Sequence, residues 1–597
     1  MTGDDKTAAI EVGRSWKVYP GFIHGVRQPA MLGDVVVRAE PEPDTAALDR
    51  TIAGLDAELT YEPPETAGAH GLALRVALLT AAIQFHFGIP VARTCHVEAG
   101  GAVVDGRARF TLALPYHEFR ATRLALLWCV EAFNRILGAD GNPLPALARA
   151  FPELGRQLLP FAPPSMNMQH FMNAAVARDI PIQRLVANVV AFGTGCHTRL
   201  LESTITDRTS LLGSGIARNK VATAALLRRA GLPAPEQAVV ATPDEAVAAA
   251  ESLGYPVVVK PVDQNQGAGV AAGLRDAALV RAAVSEAARL SPQIIVEKHF
   301  EGKDYRLTVV DGRVVKVENR TAGGVTGDGR SSIAELVAAV QETPRFRKIL
   351  RDSGRVPISL DAEAQGLLGE MGLTADSIPA TGQFVPLRRK NNVTAGGSQI
   401  LIPVERAHAD NLALAIRTAQ QLRLDFAGVD LLIPDIAESW LESGALICEV
   451  NTMPQVGIRT TPEIFGEILQ QLVGTEPRIP AHLLIVPNGE QVESGELTKQ
   501  MHELSCNALS TSHGVWIDGE RLAARPPDAF SSARIVLGET GARGALCVVP
   551  VGEVLARGLP ADWFESIRLD LDAQSAADVA LAVRPHTAAL VKTVRNA

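Results

Sequence analysis

The sequence of 597 residues predicts a multidomain α/β protein: an α+β N-terminal domain, a central α/β domain and a small α/β C-terminal domain. Three observations predict it. The length is several times that of one ordinary domain. From residue 165 onward, amphipathic helix, Gly, Pro and apolar strand follow one another, the punctuation of layered α/β structure. Before residue 135, strand-like and helical pieces are intermixed, and the Pro/Gly-rich joint GADGNPLP closes that region.

Composition narrows the function classes. A hydrophobic fraction of 47% with 21% charged residues is that of a globular chain. The formal charge of −9 argues against a broadly basic nucleic-acid surface. By eye no apolar run reaches the ~18 residues of a membrane span, and the start MTGDDKTAAIEVGR lacks the apolar core of a signal peptide. The cysteines, Cys95, Cys129, Cys196, Cys448, Cys506 and Cys547, form no C-x-x-C pair. Neither a zinc site nor a disulfide framework is indicated. The expectation is a cytoplasmic protein with no nucleic-acid and no membrane partner.

In chain order, residues 1–20 read as a tail. MLGDVVVRAE and ARFTLALPY read as strands of an N-terminal domain over 1–150. ALRVALLTAAIQFHFG and ATRLALLWCVEAFNRILG read as helices stopped by glycine. The central domain spans 151–478. It opens with the helix SMNMQHFMNAAVARDIP and the helix NKVATAALLRRAGLPAP, and continues through the strands PVVVKP, IIVEKHF, YRLTVV and RVVKVENR. An insertion or lid occupies about 323–400, with 341–395 charged and irregular. The strands FAGVDLLIPD and ALICEVN and a last helix complete the domain. Residues 479–597 form the small C-terminal piece.

Three features carry chemistry. Lys220 lies early on a helix, and Lys260 ends the Val-rich strand PVVVKP, where its ammonium leaves the sheet toward a ligand. The turn DQNQGAGV follows, and Gly267 and Gly269 let backbone N–H groups close on phosphate oxygens. Taken alone, this stretch reads equally as a tight hairpin with two snorkelling lysines. Next, IIVEKHFEGKDYRLTVV places Glu297 on a strand and Asp304 seven residues on. A strand backbone with a carboxylate suits an adenine amino group, and a second carboxylate suits ribose hydroxyls; the alternative is a solvated hairpin with surface acids. Last, Asp430 sits within an apolar strand, and Glu449 and Asn451 share one face of another. Facing each other, they make an all-oxygen cluster of the kind that holds Mg²⁺. A plain polar strand end is the alternative, but an unpaired charge inside an apolar strand is costly.

The ordered set Lys220, Lys260 with its glycines, Glu297, Asp304, Asp430, Glu449 and Asn451 resembles an ATP-grasp domain over about 210–470. The resemblance implies that Lys220 and Lys260, with Gln266, Gly267 and Gly269 of the covering loop, bind ATP phosphates. It implies that Glu297 and the adjacent Lys298 serve adenine, Asp304 the ribose, and Asp430, Glu449 and Asn451 Mg²⁺. TITDRTSLLGSGIARNKVATAALLRRAGLPAP, NRTAGGVTGDGRSSIAELV, NNVTAGGSQI and AGVDLLIPD sharpen the resemblance to the cyanophycin synthetases, which polymerise aspartate and arginine. That family implies Ser165 and Arg306 at the carboxyl end of a growing peptide, Arg306 as a bidentate clamp. It implies Arg320 and Ser398 at the amino-acid and acyl-phosphate site, so that Arg306, Lys260 and Arg320 form the catalytic set. It also implies a homo-oligomer, dimer or tetramer.

Two departures from the family are visible. Its phosphate loop usually reads N-H-G-R-G; here Asn265-Gln266-Gly267-Ala268-Gly269 lacks the His and the Arg, and Gln266 takes no proton at neutral pH. The family's C-terminal part resembles a Mur ligase and carries a second ATP loop. Here IVPNGEQVESGELTKQ (485–500) stands at that place with Glu490 where the loop Lys belongs. A cut-down, catalytically inactive Mur-like domain is expected. The reading is therefore a ligase with one ATP- and Mg²⁺-dependent active site, joining an amino acid or dipeptide, β-Asp-Arg among the candidates, to a peptide carboxylate. A discrete dipeptide or γ-glutamyl-type ligase and a pseudoenzyme subunit of a larger synthetase are the alternatives.

Overall fold

The computed structural model describes residues 8–138, 141–263, 269–353, 356–389, 391, 396–457, 463–489, 492–522 and 526–594. Packing divides the chain into two units. The first joins Met1–Ser203 to Pro462–Ala597, and the second is Thr204–Thr461. Residues 151–203 and 462–478, at the two ends of the expected central domain, are thus part of the first unit.

In the first unit, an antiparallel sheet orders strands Ile10–Tyr19, Ala30–Arg38, Arg107–Pro115 and His96–Ala99. Residues 10–19 are therefore a sheet strand, not the tail expected from sequence. Their apolar alternation at Ile10, Val12, Trp16 and Val18 is interrupted by the polar step Gly13-Arg14-Ser15, where the register against the neighbouring strand shifts by two residues. Trp16 lies flat over Gly33, where an added Cβ would come within 2.2 Å of the indole. Helices Gly68–His86 and Phe119–Gly138 cover the sheet with Leu72, Val76, Ile83, Leu126 and Phe133.

Helix Gly68–His86 also corrects the reading of apolar runs. Its 19 residues, with a mean hydropathy of 1.3 in the most apolar window, are long and apolar enough to cross a membrane. Two-thirds of that window is buried inside the protein. Arg75 in its middle obscures the run in the sequence; the guanidinium is buried on Asp49 at 2.8 Å and on the carbonyls of Pro64 and Thr66.

The C-terminal part of the first unit is a seven-stranded sheet with Ala481–Val486 near its middle, parallel to Ala545–Pro550 on one side and Phe564–Leu571 on the other. Strand Ala481–Val486 leads through a turn to helix Ser494–Glu503. The N-terminal segment is stitched to this sheet's connections. Gly21 and Phe22 donate backbone hydrogen bonds to Arg557 and Leu559, and Gly25 N–H donates to His586 Nε2 at 2.9 Å.

The second unit contains two antiparallel sheets. One orders Ala271–Leu274, Val257–Pro261, Ile294–Lys298 and Gln237–Val240, and is covered by helices Pro243–Leu253 and Ala277–Ala287. The other orders Ser398–Ile402, Arg313–Thr321, Lys303–Val310, Phe426–Ile433 and Leu446–Asn451, packed against helices Ala409–Gln421 and Lys220–Arg229. The 341–395 segment is more regular than its sequence suggests. Helices Pro344–Ser353 and Ala362–Glu370 share a small core of Val325, Ile333, Phe346, Leu368 and Val385 with a two-stranded ribbon. Arg and Lys crowd the first helix and two glycines weaken the second, which masks their helical period in the sequence.

Candidate active site

Lys220 opens helix Lys220–Arg229, capped by the Asn219 side chain on Ala222 N–H at 3.0 Å. Lys260 lies on strand Val257–Pro261 beside Ile294–Lys298, whose Glu297 is buried. Lys260 Nζ approaches Glu297 Oε2 to 2.6 Å, with both side chains about nine-tenths enclosed. So little water reaches the pair that its attraction is only weakly screened. A narrow pocket brings Lys220, Lys260, Gln237, Cys448 and Glu449 together. Burial lowers the Lys220 pKa and Lys260 lowers it further, while Glu449, Asp263 and Glu297 pull it back. The Cys448 thiol, pushed up by burial, stays protonated.

Beside this pocket, strand register builds a charge network. Asp430 pairs across the sheet with Arg306 on one side and Glu449 on the other, and Asn451 lies opposite Gly428. Arg306 grips Asp430 with two nitrogens: Nε donates to Oδ1, and Nη2 to Oδ2 at 3.0 Å. Arg320 Nη2 lies 3.1 Å from Asp430 Oδ2 and donates to Asp304 Oδ1 at 2.7 Å. Burial works against the Arg320 charge, but Asp430 and Asp304 more than offset it and hold the group above its ordinary pKa. Asn391 Nδ2 donates to the other Asp304 oxygen at 2.9 Å. Asn451 Nδ2 reaches Asp430 Oδ2 at 3.5 Å. The half-buried Glu449 carboxylate makes no hydrogen bond or ion pair among the described residues.

The remaining predicted residues fall in separate places. Ser398 meets Thr321 Oγ1 at 2.5 Å on the edge of the larger sheet. Lys298 Nζ turns to the carbonyls of Gly254 and Tyr255, at 2.7 and 3.3 Å. Gly269 has φ +71, a conformation that glycine reaches without strain. Gln266 and Gly267 lie outside the described residues. Ser165 belongs to the first unit. It caps helix Met166–Ala177 through Met168 N–H and donates to Ser203 Oγ at 3.1 Å.

Sequence reasoning missed Asn391, Thr321 and Gln237, which carry no local pattern. It also missed the buried pair Lys316–Glu318, 2.6 Å apart, whose Lys316 Nζ donates to Val456 O at 2.6 Å. That pair had a signal: two charges spaced by two in the otherwise apolar stretch VVKVE.

A family of ATP-grasp domains matches residues 216–302, from before Lys220 to just short of Asp304. A cyanophycin synthetase of Trichormus variabilis is 30% identical over 425 residues, covering 69% of this chain and 46% of its own length. The chain carries an ATP-grasp domain and is cyanophycin synthetase-like. It spans about half the length of the curated relatives it matches most strongly. The glutathione biosynthesis bifunctional protein GshAB of Mannheimia succiniciproducens is 34% identical over 330 residues, or 52% of this chain and 43% of that protein. Among solved structures, a bifunctional glutathione synthetase from Pasteurella multocida aligns with a TM-score of 0.41 and 24% identity, over 59% of this chain and 51% of that one. Beyond residue 302, the second sheet supplies the acidic and guanidinium groups of the network.

At the expected position of a second ATP loop, Asn488 Oδ1 accepts a hydrogen bond from Gly552 N–H at 2.8 Å, and Gly489 has φ +78. Glu490 lies outside the described residues. Glu493, just before helix Ser494–Glu503, makes no side-chain capping bond.

Proposed function

We propose that this chain is an ATP- and Mg²⁺-dependent carboxylate–amine ligase with one active site, in the Thr204–Thr461 unit. It adds an amino acid or dipeptide to a peptide carboxyl end. The observation that carries this reading is the convergence of Lys220, Lys260 and Glu449 on one pocket, beside an Asp430 held by two guanidinium groups.

The γ-phosphoryl group of ATP passes to a carboxylate oxygen, releasing ADP. An amine then attacks the acyl carbon, the C–N bond forms, phosphate leaves and the amine gives up a proton. Lys220 and Lys260 offset phosphate charge, and Glu297 fixes Lys260 in place. Arg306 and Arg320, whose guanidinium groups rest on Asp430 and Asp304, are assigned to the substrate carboxylate and the acyl phosphate on the family resemblance. Positioning and fixed cations supply most of the acceleration in such a transfer. Asp430, Glu449 and the Asn451 side chain would hold an oxygen-ligated divalent cation, because the half-buried Glu449 makes no hydrogen bond or ion pair among the described residues and stands opposite Asp430 on the neighbouring strand. When bound, Mg²⁺ neutralises phosphate charge there. Ser165 and Ser398 are assigned to the peptide substrate on the family resemblance alone.

A discrete ligase making one small product is the second reading, favoured by the similarity to the glutathione biosynthesis protein. Phosphate release measured over a panel of amino acids and dipeptides, with mass spectrometry of the products, tests both. A ladder of products supports chain extension and a single mass supports the discrete ligase. No release with any substrate contradicts the ligase assignment and leaves a pseudoenzyme.

A further inference from the structure

The first unit has a second cavity, an open cleft of about 210 Å³, walled by three separate stretches of its sequence. Arg27, Gln28, Tyr116 and His117 come from the N-terminal sheet region. Met172, Ile182 and Arg184 come from the segment after it. Arg534, Leu537 and Asp562 come from the C-terminal domain.

Its charges do not balance internally. Arg27 is paired with Asp179 at 2.9 Å, and Arg184 with Glu118 at 3.0 Å. Asp179 and Asp562 both engage Arg478. Arg534 is left over. It rests against the Phe530 ring, 5.9 Å from the centroid, and makes no hydrogen bond or ion pair among the described residues. Burial and the nearby Arg557 charge disfavour its cationic form, yet a guanidinium stays charged at any physiological pH. His117 does not supply an opposing charge, since burial and Arg184 lower its pKa to about 3 and keep it neutral. A half-buried cation without a counterion, at the wall of a cavity with apolar surface from Met172, Ile182 and Leu537, is a site for an anion that carries an apolar part.

We propose that this cavity binds a small amphipathic carboxylate, of amino-acid to dipeptide size, with the carboxylate on Arg534 and the apolar portion on Met172, Ile182 and Leu537. The site is independent of the ATP-grasp pocket, because every wall residue belongs to the first unit.

The test is equilibrium titration of the full chain, without ATP, using N-acetyl glycine, leucine, phenylalanine, aspartate and arginine, each beside its carboxamide. The expected result is saturable binding of at least one acid at millimolar concentration or below. Its carboxamide binds at least tenfold more weakly. R534Q loses at least tenfold in affinity, and R534K, which keeps the charge, loses less. K260A binds as the wild type does, which separates this site from the proposed ligase site. Thermal melting confirms that R534Q is folded, and R534K provides the comparison if it is not. Absence of binding by all five acids overturns the proposal. So does equal binding of the carboxamide, or affinity unchanged in R534Q, or loss in K260A.

Discussion

Asp430 is the residue on which the proposed site turns. It is buried in an apolar strand and balanced by Arg306 and Arg320. Removing one member of a buried ion network leaves the others uncompensated, typically at about 3–5 kcal/mol. Asp430→Ala is therefore expected to lower the melting temperature by several degrees and to abolish ATP-dependent phosphate release; thermal melting and a phosphate assay check the two effects separately. Glu449→Ala is expected to keep the melting temperature and lose the activity, since that carboxylate holds no protein partner among the described residues. Lys220 sets a pH dependence. Its pKa is lowered, chiefly by burial, so it loses its charge below the ordinary lysine range of about 10.4. ATP affinity, measured without amine substrate, is expected to fall on the alkaline side, and Lys220→Arg to remove that fall. The stability sign is opposite. The charged form is disfavoured in the folded state, so this residue's cost is present below its folded pKa and is relieved as pH rises through it.

Strands position these residues with little tolerance. On strand Phe426–Ile433, a Cβ at Gly428 would sit 2.5 Å from Arg306 Nη1 and 3.0 Å from Pro454 Cβ. Gly428→Ala is expected to push Arg306 off Asp430 and to reduce turnover by on the order of 10²-fold, the size of effect an ångström of misplacement has. Steady-state kinetics beside a melting curve distinguish that from loss of fold. At this scale the sequence was partly legible. Lys260 at a strand end, and Glu449 and Asn451 on one face of a strand, follow from local alternation. The pairing of Asp430 with Arg306 does not, because the two are 124 positions apart and register between distant strands leaves no local trace. Strand Ile10–Tyr19 was missed because the polar step Gly13-Arg14-Ser15 interrupts its apolar alternation at the register shift. The helices at 344–353 and 362–370 were missed because charge and glycine dilute their pattern.

Across the whole chain, chemistry is unevenly distributed. The Thr204–Thr461 unit holds the lysines, carboxylates and guanidinium groups of the proposed site. In the C-terminal sheet, helix Ser494–Glu503 follows strand Ala481–Val486, and Asn488 between them accepts a hydrogen bond from Gly552 N–H. Fold class was readable from sequence, and Lys220 and Lys260, singled out there, line one pocket. The division into two units was not, since the first is assembled from both ends of the chain. That unit also carries a pH signature. Burial, with His96 adding to it, lowers the His24 pKa to about 4. Its neutral form is favoured by folding, so stability is lost as pH falls from about 6.5 toward 4. Melting temperature followed over that range is expected to drop, and less steeply in His24→Asn, which tolerates the left-handed backbone at φ +53. The proposed function requires one working nucleotide site per chain, at Lys260. Equilibrium binding of ATP with Mg²⁺ measures it directly. One nucleotide per wild-type chain and none in Lys260→Ala is the predicted result; two per chain, or one that persists in Lys260→Ala, would contradict it.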